Sequence, residues 1–256
     1  MCDAGRLGID HVKAERRIRQ FKGNLAALAK GLKDAGQVAI VASTAHTVEE
    51  LFLIKKLADG LKAQVAFLGK NVGQIWVAKN GFTIETDKTP NKKGAEAVFG
   101  VLAPVAEVVR AIDAGQVKGL LVLNQIPDLD WPADLVAAAA KVPFVAVADL
   151  LDGPIAQAAH VVVPAAAWAE KDGVVVNRDG RFQRLRPVLT PPGAARPDVA
   201  WLQDLLVVMG LRKSAISSEG VFREAFPGLD YAKVGTTGIA PQASDPPSTA
   251  PALEAK

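Results

Sequence analysis

Side chains able to do chemistry are few in this 256-residue chain. There is one cysteine, Cys2, and there are three histidines. A single thiol rules out an intramolecular disulfide, which fits a reducing compartment. The turn Ser43-Thr44-Ala45-His46-Thr47 places hydroxyls and an imidazole where a strand would pass into a helix, a place suited to anions. It lacks the G-x-G-x-x-G and G-x4-G-K-[ST] spacings that let backbone amides reach a pyrophosphate. Its hydroxyls are therefore read as helix caps. His46, with no acidic or cysteine neighbour in register, is read as a surface or cap-adjacent residue. His160, at the edge of a predicted strand, is read as packed and hydrogen-bonded. Arg178, Arg181, Arg184 and Arg186 follow one another along a predicted hairpin. Guanidinium groups so placed could grip a phosphate; here they are read as facing solvent or a partner subunit. The residues themselves assign no catalytic and no cofactor-binding side chain.

Charge and hydropathy narrow the classes further. The net charge is +3, but Met1 to Lys33 hold eight Lys/Arg against Asp3, Asp10 and Glu15. Such a basic arm can follow an anionic surface. No aromatics interleave with its charges as single-strand binders require, so no nucleic-acid partner is expected. The arm is read as solvated, lying over an acidic partner or over its own domain. Half of the residues are hydrophobic, yet no apolar run approaches the roughly 18 residues of a membrane span. Residues 1–23 carry no apolar segment of secretory type.

The elements that would position these groups alternate. Leu25, Leu28, Ala29 and Leu32 recur at helical spacing, and Gly36 ends the segment. Residues 38–42 are uniformly apolar and short, as in a strand buried on both faces. Thr47 and Glu50 form a capping box before a helix reaching Leu61, and residues 64–68 read as the next strand. Strand, helix and strand in succession predict a parallel sheet. Residues 69–94 are rich in turn signals and predict an excursion with a short strand or two. A second set of helices (105–114, 131–141) and strands (118–123, 142–148) follows, then a short helix or turn over 149–159 and a strand over 160–163. The loop Asn124-Gln125-Ile126-Pro127 contains no glycine. Asp179-Gly180 separates residues 174–177 from 181–186 and predicts a hairpin with a type I′ turn. Prolines 187, 191, 192 and 197 predict an extended exit. Asp198 is read as the N-cap of a helix that Gly210 ends, and a shorter helix is expected over 217–226. From Thr236 the chain is Pro, Ala, Ser and Thr, and is expected to be disordered.

Four pieces of this chain resemble the molybdopterin oxidoreductase family: A-H-V-V-V-P (159–164), E-K-D-G (170–173), V-N-R-D-G-R-F-Q (176–183) and P-P-G-A-A-R-P-D (191–198). Within it they look most like the large iron–sulfur (G) subunit of NADH:quinone oxidoreductase, respiratory complex I. The string Asp87-Lys88-Thr89-Pro90-Asn91-Lys92-Lys93-Gly94-Ala95 points the same way, although its residues suggest no chemistry. Met1-Cys2-Asp3-Ala4-Gly5-Arg6 resembles the point where that subunit's cluster-binding region ends, so Cys2 is a tentative [4Fe–4S] ligand if partner cysteines come from elsewhere. The preceding C-x2-C-x3-C run has no counterpart, one thiolate cannot hold a cluster of four, and a free terminal thiol is the preferred reading.

The resemblance implies an α/β fold: a parallel-sheet, Rossmann-like domain with a β-hairpin near its C-terminal end and a disordered tail. The expected division is a basic arm (1–23, a remnant of the cluster-binding region), the α/β domain (24–211), a short helical extension (212–235) and the tail (236–256). The function implied is that of a cofactor-free structural module in the hydrophilic arm that carries electrons from NADH to quinone. The alternative is a fragment of a molybdopterin-dependent, formate dehydrogenase-like oxidoreductase. No cofactor is expected for this chain alone; the family implies a [4Fe–4S] cluster and molybdopterin guanine dinucleotide. The implied partners are other subunits of a multisubunit oxidoreductase. The implied location is cytoplasmic, peripheral to the inner membrane through the complex.

Overall fold

Apolar runs too short for a helix become the centre of the molecule, because each of their side chains is covered on one face or the other. The computed structural model describes residues 9–70, 75–77, 79, 83–84, 86–127 and 129–240. Its elements in order are α1 (Leu25–Ala35), β1 (Val38–Ser43), α2 (Val48–Leu61), β2 (Gln64–Leu68), β3 (Trp76–Val77), β4 (Thr83–Ile84), α3 (Lys92–Phe99), α4 (Val105–Asp113) and β5 (Gly119–Leu123). Then come α5 (Ala133–Ala139), β6 (Phe144–Asp149), α6 (Pro154–Ala158), β7 (Val161–Pro164), β8 (Gly173–Val176), β9 (Phe182–Leu185), α7 (Asp198–Val208), α8 (Ser218–Ala225) and α9 (Tyr231–Val234).

The main sheet is parallel, in the order β2-β1-β5-β6-β7. Ile40 pairs with Val65 on one side and Leu121 on the other, and Leu121 with Ala146. Alternation sorts the side chains between two helix layers. Ile40, Ala42, Leu121, Leu123 and Ala146 pack with Leu28 and Leu32 of α1, Ile54 and Leu57 of α2, and Leu202 and Leu205 of α7. Ala39, Val41, Leu120, Val122 and Val147 pack with Val108 and Ile112 of α4, Leu135 of α5 and Ile155 of α6. This is the α/β architecture expected, with the antiparallel hairpin β8–β9 set beside the sheet. The capping box at Thr47 and Glu50 is formed.

Local expectations fail at four places, each for a tertiary reason. First, the basic arm is laid into the fold rather than solvated throughout. Lys22 exchanges backbone hydrogen bonds with Val162 on the open edge of β7 (3.1 and 2.9 Å), and Val12 and Arg17 are buried. Second, the hairpin turn is not type I′. Gly180 alone has positive φ (+80°), and its N–H donates to Asn177 O (3.0 Å) while Asn177 N–H donates to Arg181 O (3.0 Å). That is a type I turn followed by a left-handed glycine, the usual three-residue alternative. Third, Asp198 makes no cap bond; Pro197 precedes α7 and the aspartate turns inward. Fourth, order continues past Thr236: Ile239 pairs backbone-to-backbone with Phe182 (2.9 and 3.0 Å) and packs beside Phe222 and Val234. Residues 241–256 of the expected tail lie outside the described residues, as does Cys2.

Candidate functional site: a buried polar joint at the carboxyl ends of β1 and β5

Strand β1 leads through α2 to β2 on one side, while β5 lies on its other side. The carboxyl ends of β1 and β5 therefore bound the crevice in which open α/β sheets place their ligands. The chain turns polar at the ends of these strands, where Ser43 closes β1 and Thr44, His46, Thr47, Asn124 and Gln125 follow β1 or β5, all of them buried. They are stitched to one another across the crevice. Gln125 N–H donates to Ser43 Oγ (3.0 Å), and its side-chain amide donates to Asp198 Oδ2 (2.6 Å). Trp201 Nε1 donates to Asp198 Oδ1 (2.8 Å), so both oxygens of the aspartate are engaged. Asn124 donates to both oxygens of Asp149 (3.1 and 3.2 Å).

His46 stands at the centre. Its Nε2 lies 3.2 Å from Leu123 O, and its Nδ1 lies 3.3 Å from Asp198 Oδ2 and 3.5 Å from Glu50 Oε2. Lys171 Nζ donates to Glu50 Oε2 at 2.7 Å. All four side chains are shut away from solvent. Burial alone would push the imidazole pKa down, but the neighbouring Asp198 and Glu50 outweigh it and hold His46 above its ordinary value. Burial likewise pushes Glu50 up, and Lys171 and His46 outweigh it and hold that carboxyl below the usual range. Two other carboxyls lack such cationic partners: burial pushes Glu49 and Asp149 each up to about 7.

The E-K-D-G turn delivers four separate contacts from four consecutive residues. Glu170 accepts both guanidinium nitrogens of buried Arg17 (3.1 and 2.8 Å) as well as Ala167 N–H (2.8 Å). Arg17 also donates to Val12 O (3.1 Å), which fixes the arm. Lys171 reaches Glu50 at the start of α2. Asp172 pairs with Arg184 of β9, whose guanidinium stacks 3.3 Å over the Tyr231 ring. At Gly173 a Cβ would stand 2.6 Å from Thr47 Cγ2 and 2.9 Å from Glu49 Oε2, so only glycine lets the hairpin approach α2 this closely. The next residue, Val174, donates its N–H to Glu49 Oε2 (3.0 Å), while Tyr231 OH donates to Glu49 Oε1 (2.7 Å).

The Asp87 to Ala95 string closes the same joint from the far side. Thr44 Oγ1 donates to Pro90 O (2.5 Å). Asn91, with φ at +51°, donates its amide to His46 O (2.6 Å) and accepts Val176 N–H on its Oδ1 (2.6 Å). One asparagine thus links the loop after β1 to the hairpin.

The expectation for His46 is corrected: it is a fully buried member of an ionic cluster. Glu50, four residues on, was the signal present in the sequence; Asp198 and Lys171 reach it only through the fold. Of the hydroxyls read as caps, only Thr47 caps a helix. His160 does accept Val145 N–H on Nδ1 (3.1 Å) and stacks on Phe144, as read, although it is exposed. Arg181 and Arg184 are spent within the chain instead of facing solvent. Arg181 donates to Thr237 O (3.3 Å) and Gly238 O (3.0 Å). Arg186 is exposed.

Residues 91–208 match the family model described as molybdopterin oxidoreductase. That stretch, a little under half of the chain, is similar to a molybdopterin oxidoreductase domain. Among curated proteins it is similar to a nitrate reductase of Symbiobacterium thermophilum, 33% identical over 49% of this chain and 18% of that protein. It is also similar to the F420-dependent formate dehydrogenase 2 subunit alpha of Methanococcus maripaludis, 33% identical over 48% of this chain and 20% of that one. A third relative is the NADH-quinone oxidoreductase G subunit of Escherichia coli, 28% identical over 67% of this chain and 18% of that one. The chain spans about a fifth of the length of these relatives.

The groups that molybdopterin oxidoreductases imply can be tested against the residues present. A [4Fe–4S] cluster needs four thiolates and this sequence has one cysteine, so its own residues do not fit a cluster. At the carboxyl ends of β5 and β6 the cavity lined by Asn124, Ile126, Trp131 and Asp149 measures about 50 Å³. Pockets for molecules of drug size run to roughly 300–1,000 Å³, so a pterin nucleotide does not fit there either. A larger concavity of about 560 Å³ runs along residues 17–22 beside Ala156 and Val162, and it contains none of His46, Glu50, Lys171 or Asp198. In the joint itself ligand atoms of His46, Glu50 and Asp198 lie within 4.8 Å of one another, close enough for a cation, but Lys171 Nζ already binds Glu50 Oε2 at 2.7 Å.

Proposed function

We propose that this chain is a structural module of a multisubunit oxidoreductase, without a catalytic centre of its own, of the kind represented by the large iron–sulfur (G) subunit of NADH:quinone oxidoreductase. The observation that carries the reading is the crevice between β1 and β5, which is closed by hydrogen bonds from Gln125 to Ser43 and Asp198 and between His46 and Leu123 O, with the His46 ring set beside Asp198. A ligand entering there would have to break buried hydrogen bonds, which is costly. The likeness to the NADH-quinone oxidoreductase relative extends over a larger share of this chain than the likeness to the formate dehydrogenase or the nitrate reductase named above. In this reading the module sits in the hydrophilic arm of the complex, on the cytoplasmic side and peripheral to the inner membrane. Among the described residues no helix is long and apolar enough to cross a membrane.

A second reading, part of a formate dehydrogenase-like enzyme, is favoured by the higher identity to that relative. Anaerobic expression in a host that makes the pterin cofactor separates the two. The expected result is a purified chain without stoichiometric molybdenum or pterin fluorescence, recovered together with other subunits of the complex. Stoichiometric pterin retained through purification would overturn the structural reading.

A further inference from the structure

The charges around His46 do not balance unless the ring carries one. Glu50 and Asp198 bring two carboxylates into a place without solvent, and Lys171 supplies one ammonium. The Nε2 side of the ring faces Leu123 O at 3.2 Å and is therefore a donor. That leaves Nδ1 toward the two carboxylate oxygens, squarely aligned with neither. A bare lone pair in that position would be repelled from both sides, whereas a proton makes the group electrically neutral: two carboxylates, one ammonium, one imidazolium. A divalent ion in the proton's place would sit against Lys171 and leave excess buried positive charge.

We propose that His46 is the proton-loaded pin of a pH-sensitive joint, coupling the first turn of α7 and the E-K-D-G turn to the start of α2. This holds whichever oxidoreductase the module serves. The groups facing the ring are Glu50 from α2, Asp198 from α7 and Leu123 O from the end of β5, and Lys171 from the turn before β8 binds the Glu50 oxygen that faces the ring. Glu49, next along α2, turns to Tyr231 and Val174 instead. The backbone of His46 is itself held by Asn91, which also holds Val176 of β8. Loss of the proton therefore unbalances the point at which α2, α7 and the hairpin meet. A folded-state pKa raised above the unfolded value gives stability that is complete below about 6.5, and is lost as pH rises through the folded value. The buried carboxyls Glu49 and Asp149 act in a lower window that ends at about 7, so the two effects are separable.

The test leaves His46 unaltered. Imidazole nitrogen resonances of the full ¹⁵N-labelled chain are followed by long-range proton–nitrogen correlation, with His11→Gln and His160→Gln used to assign the remaining ring. The expected result is a ring protonated at both nitrogens at pH 7 that titrates above the ordinary imidazole range, with the melting temperature falling over the same interval. A neutral ring at pH 7, a titration that leaves the melting temperature unmoved, or displacement of the ring signal by one equivalent of zinc would each overturn the proposal.

Discussion

Replacing Glu49 by glutamine should stabilise this protein above neutral pH and flatten its acid-side stability profile. Glu49 is buried at the start of α2, accepting Val174 N–H on one oxygen and Tyr231 OH on the other. Burial pushes its carboxyl from 4.5 up to about 7. In the unfolded chain the proton leaves from about pH 4.5, while the folded chain keeps it to about 7. Across that window the unfolded state binds fewer protons, so stability falls as pH rises. At 1.36 kcal/mol per unit, the full interval amounts to roughly 3 kcal/mol of lost stability at pH 8. Glutamine is neutral at every pH, can accept from Val174 with its carbonyl, and can donate to the Tyr231 oxygen with its amide. The variant and the parent should therefore be nearly equal in urea melts at pH 4.5 and diverge by up to roughly 3 kcal/mol by pH 8, in favour of the variant. Asp149 titrates in the same window in both proteins and cancels in the difference. Parallel profiles, or a parent that gains stability between pH 5 and 7 relative to the variant, would refute the argument that Glu49 resists ionisation.

Gly173→Ala should destabilise by about 1–3 kcal/mol, the usual cost of forcing an extra carbon into a filled contact, because its Cβ would meet Thr47 and Glu49 at under 3 Å; chemical denaturation checks it, and an unchanged midpoint would mean the hairpin can stand off from α2. Arg181→Ala should leave the global melting temperature nearly intact yet raise amide exchange at Ile239, since the guanidinium holds the carbonyls of Thr237 and Gly238 next to that pairing; unaltered protection at Ile239 would show the strand pairing suffices alone.

How much of this could be read beforehand depends on the range of the interaction. Residues 38–42, 118–123 and 142–148 announced themselves as strands because burial on both faces leaves a largely apolar run, and no partner needs to be known to see it. The Thr47–Glu50 capping box was equally visible, being closed within one helical turn. Asp198 misled for the complementary reason. An aspartate after proline at a helix start is ordinarily a cap, and its true partners, Gln125, Trp201 and His46, include two that sequence spacing cannot bring near. The hairpin was placed correctly and its turn wrongly, since Asp179-Gly180 suits two turn types and the choice lies with Asn177, whose side chain accepts the N–H groups of Asp179 and Arg181 (3.0 and 2.8 Å).

The family-like strings were the most informative stretches and the least interpretable ones, and the joint explains both properties at once. Glu170, Lys171, Asp172 and Gly173 each serve a different distant element: the arm, α2, β9 and the loop before α2. Asn91 serves two. The side-chain partners of these residues lie outside their own strings, Ala167 beside Glu170 being the one near in sequence, so no local rule gives the string a meaning. Polar residues at the end of a parallel strand ordinarily suggest a ligand site. Here Ser43, His46, Asn124 and Gln125 stand in that position and turn to one another, to Asp149 and to Asp198. The distinction between a site and a joint lies in where the donors point. At β1 and β5 they point into the protein.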